Sequence, residues 1–301
     1  MRTLFCTAIA FSLFLFSCKK NDQPPAPEPP TEKIPVKFTV ADFNRQVTDL
    51  DARKAPGKDL NNLRDSLNPG IEYLYYNAYG SNGQRVSTKV QILQLNNVDF
   101  GTITDSLPAD SYIVVLVGSS TPVYWEYPDP NSFYQSRLNF KTPGGELRTI
   151  PDLFYKRLTI NVAPNSPLPD TSIILKRMVG KLEVVVTDAL PNDSIDISIS
   201  YESYRFNLER GVAADVYMPK HISKKDVKTF SDYVLNLEFP FTVTINALDR
   251  TTGALRTKTA NMVYCYKNKK TILSGNMFTS TSGFKVSVDD AWDADAEPIH
   301  F

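Results

Sequence analysis

The residue with the most pointed chemistry is Cys18, which closes the run Leu15-Phe16-Ser17-Cys18. An apolar residue, a small residue directly before the cysteine and the thiol itself form the pattern of a bacterial lipobox. Cleavage before the cysteine would leave a thiol able to accept diacylglycerol. Upstream, Arg2 is followed by an apolar run from Leu4 to Phe16 broken only by Thr7 and Ser12, which suits a secretory signal and is too short for a stable membrane span. Residues 1–17 are therefore read as a lipoprotein signal peptide; ordinary cleavage beside a chance cysteine is the bland alternative. Several acyl chains on one thiol make attachment lasting where a single chain is marginal, so Cys18 is expected to hold the mature chain to membrane lipid.

Other reactive groups are scarce. His221 and His300 are the only histidines, which leaves little room for histidine-rich metal sites or for Ser/His and Cys/His nucleophiles. Cleavage would remove Cys6 and lipidation would use Cys18, so Cys265 would remain alone and no intramolecular disulfide could form. No Walker loop, Gly-x-Ser-x-Gly, His-Glu-x-x-His or glycine-rich strand-to-helix turn occurs. Asp289, Asp290, Asp293, Asp295 and Glu297 invite a calcium reading, but the spacing lacks the EF-hand glycine and the closing glutamate. A solvated acidic turn is the expectation, with no metal, no cofactor and no enzymatic activity. Tyr124, Trp125 and Tyr127 lie among Pro122, Pro128 and Pro130, where they could form a glycan platform or a loop packed over the end of a sandwich. Lys plus Arg number 33 against 33 Asp plus Glu, a balance without the basic footprint that nucleic-acid binding requires. Signal cleavage removes one cation and no acid, shifting the mature balance to −1.

The elements that must carry these residues begin after a tether. Residues 18–33 include KKNDQPPAPEPPTEK, with five prolines and no large apolar side chain. In polyproline-like conformation it would span about 45 Å at roughly 3.1 Å per residue. Beyond it, period-two patterning dominates. In SIDISISYE (194–202), Ile195, Ile197, Ile199 and Tyr201 should face one way and Asp196, Ser198, Ser200 and Glu202 the other, a half-buried strand. Leu235, Leu237, Phe239, Phe241, Val243, Ile245 and Ala247 alternate similarly, with Pro240 marking a bulge, an edge or a break between strands. Leu158, Ile160 and Val162 repeat the rule, and the apolar runs Tyr112–Val117 and Leu182–Val186 fit strands covered on both faces. Turn chemistry recurs at Ser81-Asn82-Gly83, Pro143-Gly144-Gly145, Leu190-Pro191-Asn192 and Asp249 to Gly253. Helical signals are confined to Leu60, Leu63 and Leu67 behind Asp59, and to one turn at 151–156. A proline-rich break at Pro164 to Pro169 divides the body into expected β-sandwich domains at 34–166 and 167–301, about 130 residues each.

Five stretches carry a resemblance: IEYLYYNAYGSNGQRV (71–86), FGTITDSLPADSYIVVLVG (100–118), DLFYKRLTINV (152–162), IILKRMVGKLEVVV (173–186), and NKKTILSGNMF with FKVSVDDAW (268–292). In order and spacing the chain resembles the fimbrillin superfamily of Bacteroidales surface lipoproteins, most nearly its FimB-type anchor subunits of major and minor fimbriae. Asp110 departs from that pattern, where glycine is expected. The resemblance implies an all-β protein, with two transthyretin-like, Greek-key β-sandwich domains in tandem after the lipoprotein signal and flexible tether. It also implies a structural subunit at the outer membrane, surface-exposed within a fimbrium, whose partners are outer-membrane lipid through acylated Cys18 and other fimbrial subunits through β-strand addition. Anchor-type members keep their first strand, which here would hold Val36, Phe38 and Val40; Arg45 and Arg53, with Arg64 beyond them, are candidate processing sites. The alternating carboxyl end, with Phe284, Val286, Val288 and Trp292, could complete its own sheet or pair with an edge on another molecule. Within the matching stretches, Gly180 permits a close approach, Lys176, Arg177 and Lys181 would face solvent or the domain boundary, and Phe154 and Tyr155 would close the seam between sandwiches. The alternative function is a surface glycan-binding lipoprotein of a polysaccharide uptake system, using Tyr124, Trp125 and Tyr127.

Overall fold

The computed structural model describes residues 32–40, 70–95, 99–126, 131–164, 171–191, 193–214, 217–225, 228–279 and 283–289. The signal peptide, the helix expected around Leu60 to Leu67 and all but Pro164 of the break at Pro164 to Pro169 lie outside them. The fold is all-β, two sandwiches in tandem. In the first, strand β1 (Lys33–Val40) lies between β4 (Thr102–Pro108), antiparallel, and β9 (Thr171–Ile173), parallel. Lys33, read as the last tether residue, already pairs with Pro108. A five-stranded sheet opposes it in the order β10 (Lys176–Arg177), β8 (Leu153–Val162), β5 (Asp110–Ser119), β2 (Tyr73–Tyr79) and β3 (Arg85–Ile92). Between the sheets sit Phe38, Leu74, Tyr76, Leu116 and Phe154.

The outer face of this five-stranded sheet is buried as well. Tyr75, Tyr79, Val115, Val117 and Tyr155 pack into a separate core with Phe133, Leu138 and Phe206. Its cover is a small sheet ordered β14 (Val212–Ala213), β13 (Arg205–Asn207), β7 (Arg137–Asn139) and β6 (Tyr124–Glu126). Tyr112–Val117 is thus covered on both faces, as its unbroken apolar run predicts. Residues 151–156, expected as a helical turn, instead lead into β8. Leu153, Phe154 and Tyr155 are all buried because β8 also has cores on both sides, and an extended strand serves two cores where a single helical turn would serve one.

The second sandwich pairs the sheet β16 (Thr229–Val234), β11 (Gly180–Val186), β19 (Lys270–Gly275), β20 (Lys285–Asp289) with the sheet β15 (Tyr217–Lys225), β12 (Ser194–Ser203), β17 (Phe241–Leu248), β18 (Leu255–Val263). Leu182, Val184, Ile195, Ile197, Ile245 and Leu273 fill the space between. Leu182–Val186, expected to be covered on both faces, is covered on one: Glu183 and Val185 are only half-buried, because the core outside the first sandwich stops at Met178 and Val179. Gly180 allows a close approach, since a Cβ there would stand 2.7 Å from the Tyr266 carbonyl oxygen. Pro240 marks a break, the strands on either side being β16 and β17.

Strands from the later part of the chain complete the first sandwich. β9 and β10 follow the proline-rich stretch yet pair with β1 and β8, and β13 pairs with β7. At this seam Arg177 is 5% exposed. Its Nε donates to Asp152 Oδ1 at 2.8 Å, its Nη2 to Oδ2 at 3.2 Å and its Nη1 to Asn268 Oδ1 at 2.7 Å. The Tyr233 hydroxyl also donates to Asp152 Oδ2. Removing one member of such a pair leaves the other charge buried alone. Arg177→Ala is expected to cost about 3–5 kcal/mol in a urea titration, and the double variant Arg177→Met/Asp152→Leu to recover most of that loss.

A bulge overturns one strand expectation. Ile199 opposes Lys220 while Glu202 opposes Met218, so β12 carries one residue more than β15 across this step. The extra residue flips the alternation. Tyr201, expected inside, is 43% exposed, and Glu202, expected outside, is fully buried. Glu202 Oε1 accepts the N–H groups of Ser203, Leu235 and Asn236 at 2.9, 3.0 and 2.9 Å. Burial pushes its carboxyl from 4.5 up to about 7, against the pull of the Lys220 charge and these donors. A raised carboxyl favours the protonated fold, so this stability is complete below pH 4.5 and lost as pH rises through about 7. Between pH 4.5 and about pH 8 the wild type should lose roughly 3 kcal/mol more than Glu202→Gln, read from denaturant midpoints across the range.

Candidate functional site

Strand β1 contains the segment that the sequence singles out as the first strand. Alternation points Val36, Phe38 and Val40 inward, at 3%, 0% and 7% exposure, while Lys33, Pro35 and Lys37 face out. The Phe38 ring centroid lies 5.6 Å from that of Tyr76 on the opposing sheet. Lys33 to Thr39 pair continuously with Pro108 to Thr102, and Phe38 to Val40 pair with Thr171 to Ile173. The Val40 N–H donates to the Gly101 carbonyl at 2.8 Å, at a turn where Gly101 adopts φ +93°. Three buried side chains at about 1.5–3 kcal/mol each make β1 a structural member of its sheet. Among the described residues it is the strand that joins β4 to β9, so its withdrawal would open a strand-wide slot over the first core. A cleft of about 720 Å³ already runs alongside, lined by Lys37, Lys89, Thr104 and Asp105, with Lys89 Nζ 3.6 Å from Asp105.

At the other end of the chain, β20 pairs among the described residues with β19 alone and lies at the edge of its sheet. Phe284 packs against Gly275 and the second core. Val286 and Val288 oppose core-facing Leu273 and Thr271, yet are 51% and 41% exposed because β20 lies at the rim of the sandwich. The strand therefore presents an apolar row at the rim of its sheet, and an exposed edge with apolar side chains is the combination that accepts a further strand.

Of the proline-flanked rings, Tyr124 and Trp125 are described, and they point to opposite faces of β6. Trp125 is half-buried, edge-on to Tyr75 at 6.3 Å, and packs against the core outside the first sandwich. Tyr124 is turned to the other face of β6 and lies under the Arg148 guanidinium at 3.8 Å. Cys18, Arg45, Arg53, Arg64, Tyr127 and Trp292 lie outside the described residues. Asp110, where the resemblance expects glycine, opens β5 and ties it to the turn at Ser81. Its carboxylate accepts the Ser111 and Ser81 N–H groups and the Ser81 hydroxyl, contacts that hold it below the usual carboxylate range. Cys265 is buried, and burial pushes its thiol up to about 12, which leaves it inert at neutral pH. Among the described residues no group of three or more His, Cys, Asp or Glu is placed to hold a metal ion.

Sequence reasoning missed an aromatic corner on the second sandwich. Tyr201 stacks on Tyr217 at 4.2 Å, and Phe239 stands at 88° and 87° to the two rings. Only the β12 bulge brings Tyr201 there, and period-two patterning argues against it.

Phe38→Ala should lower stability by about 3–5 kcal/mol, whereas Val286→Ala should stay within about 0.5 kcal/mol of wild type, both read by denaturant unfolding of the full chain. Equal losses would contradict the contrast between a buried strand and an exposed one.

A family model matches residues 149–299, and its description is a family of unknown function. No curated protein matches the chain. Among solved structures, a candidate polysaccharide-binding protein from Bacteroides thetaiotaomicron is similar with a TM-score of 0.54 at 10% identity, over 87% of this chain and 96% of that one. A candidate adhesin from Bacteroides ovatus is similar with a TM-score of 0.53 at 13% identity, over 88% and 94%. Another from the same species gives 0.51 at 12%, over 77% and 83%. At these identities the likeness shows a shared fold.

Proposed function

Because the chain belongs to DUF6562, a family of unknown function, its role has to be read from its fold and strand chemistry, and we propose that it is a structural, lipid-anchored subunit of a cell-surface fimbrium. On this reading acylated Cys18 holds it to the outer membrane, the proline-rich tether lifts it clear, and strand addition joins it to other subunits. The observation that carries the proposal is the position of β1: a strand of period-two residues at the amino end of the folded body, bonded on both sides and placed so that its presence or absence decides whether a slot exists. The adhesin-like fold of the Bacteroides ovatus structures is consistent with it, as are the fimbrillin-like stretches of the sequence. The absence of a catalytic motif in the sequence agrees with a scaffold. The subunit is assigned to the anchor rather than the stalk. An anchor keeps β1 in its slot and offers the β20 edge, with Val286 and Val288, as the place where a neighbour's strand joins.

Mass spectrometry of the amino terminus of protein taken from native membranes tests this directly. The anchor reading expects acylated Cys18 followed by an intact Val36–Val40. A mature chain beginning after Arg45 or Arg53 would make it a polymerising subunit instead, and an unmodified Cys18 would remove the lipid attachment.

A further inference from the structure

Two irregularities stand side by side in the outer sheet of the second sandwich. Ile199, Val243 and Ala260 are register partners across β12, β17 and β18. Directly beyond Ile199, the β12 bulge turns Tyr201 outward. Directly before Val243, a second register shift gives β18 one residue more than β17, and Met262 takes φ +56°, a conformation that β-carbon residues rarely adopt. Bulges re-aim side chains, and backbone strain that persists is held by its surroundings for a reason. Here both devices expose apolar side chains: Tyr201 at 43% and Met262 at 66%.

The rings are held in place from below. Asn236, 1% exposed, donates from Nδ2 to the Tyr201 carbonyl at 2.8 Å and to the Phe239 carbonyl at 3.0 Å, while its Oδ1 accepts the Phe239 N–H at 3.1 Å. One buried amide thus fixes the backbone of both residues. Phe239 keeps 45% of its surface in solvent. Beside the rings a cleft of about 340 Å³, near the low end of the roughly 300–1,000 Å³ usual for small-ligand sites, is lined by Ser200, Thr242, Asn261 and Met262. Among the described residues none that lines it carries a charge. Ser200 Oγ accepts the Thr242 N–H at 2.9 Å, which leaves its O–H to donate outward, and the Thr242 hydroxyl orients the Asn261 amide at 3.1 Å.

We propose that this corner of Tyr201, Phe239 and Met262, with Ser200, Thr242 and Asn261 along its edge, is a binding site for a neutral glycan. A sugar ring offers an apolar C–H face for an aromatic ring and hydroxyls for neutral donors and acceptors around it; the lining supplies both and no charge. An anionic ligand would find no cation among the described lining residues, and a purely apolar partner would leave the hydroxyl and amide edge unpaired. Asn236 is a positioning residue. The site does not depend on the fimbrial reading, since it uses neither β1 nor Cys18 nor the β20 edge.

Native gels cast with mannan, xylan, laminarin or dextran, run with the full chain, test the site. At least one polysaccharide should retard the wild type. Tyr201→Ala/Phe239→Ala should weaken retention by about tenfold or more, while Tyr201→Phe, which keeps the ring, should preserve it. Asn261→Ala should weaken it with the rings intact. Thermal melts of each variant confirm folding, and because all of these side chains are partly exposed the melting temperatures should stay near that of wild type. No retention on any of the four polysaccharides, retention unchanged in the alanine pair, or binding of an apolar dye at the rings without polysaccharide retention would overturn the proposal. These outcomes leave the amino-terminal mass, and with it the fimbrial reading, untouched.

Discussion

A sheet that is apolar on both faces needs two covers, and the five-stranded sheet around β5 and β2 takes its second from strands far apart in the chain. Leu74 and Tyr76 of β2 face one core while Tyr75 and Tyr79 face the other. Tyrosine suits such a strand because its body is apolar and its hydroxyl needs only one partner. Tyr79 finds Ser136 at 3.1 Å, and Tyr75 accepts the Val123 N–H. The covering sheet draws β6 and β7 from the first half and β13 and β14 from the second. Burying that outer face therefore stitches the sandwiches together, and Lys33–Phe301 behaves as one unit despite two separate sandwich cores.

Polar groups at the seam select one way of joining. Apolar packing alone tolerates sliding, but the paired geometry of Arg177 on Asp152, with Asn268 and Tyr233 completing it, is satisfied at one register. Glu202 acts similarly from the second sandwich, gathering the N–H groups of Leu235 and Asn236 where the chain leaves β16. Lys220 reaches from β15 to Asp232 at 2.7 Å and to the Tyr233 carbonyl, linking the two sheets at the same end. Each group is costly to bury unpartnered, which is why the seam resists alternative arrangements.

Much of this architecture was legible as pattern. Strict alternation at Ile195, Ile197 and Ile199, and at Val243, Ile245 and Ala247, reports strands with one buried face, and the unbroken Tyr112–Val117 run reports two covers. Failures occurred where tertiary context supplied or withheld a second cover. Leu182–Val186 reads like Tyr112–Val117 yet lacks one, and 151–156 reads as a helical turn until both of its faces are known to be buried. The charge on Arg177 suggests solvent or a boundary, and only the fold shows Asp152 waiting there. Among the candidate functional residues, Val36, Phe38 and Val40 were readable because a strand announces itself locally. The aromatic corner was not, because the added residue in β12 inverts the side-chain pattern at Tyr201 without leaving any mark in composition or period.

The mixed pairing of β1 has a mechanical side. Any pull arriving through the residues that precede Lys33 enters the body at one end of this strand and runs along its length. Its bonds to β4 and β9 lie across that direction, so they are loaded together in shear instead of being peeled apart one after another. Phe38 and Val40, at the far end, act as barbs that would have to be dragged through the packed interior before the strand could slip. Were the chain moored at its amino end, as proposed, it would be seated by a strand placed to bear tension.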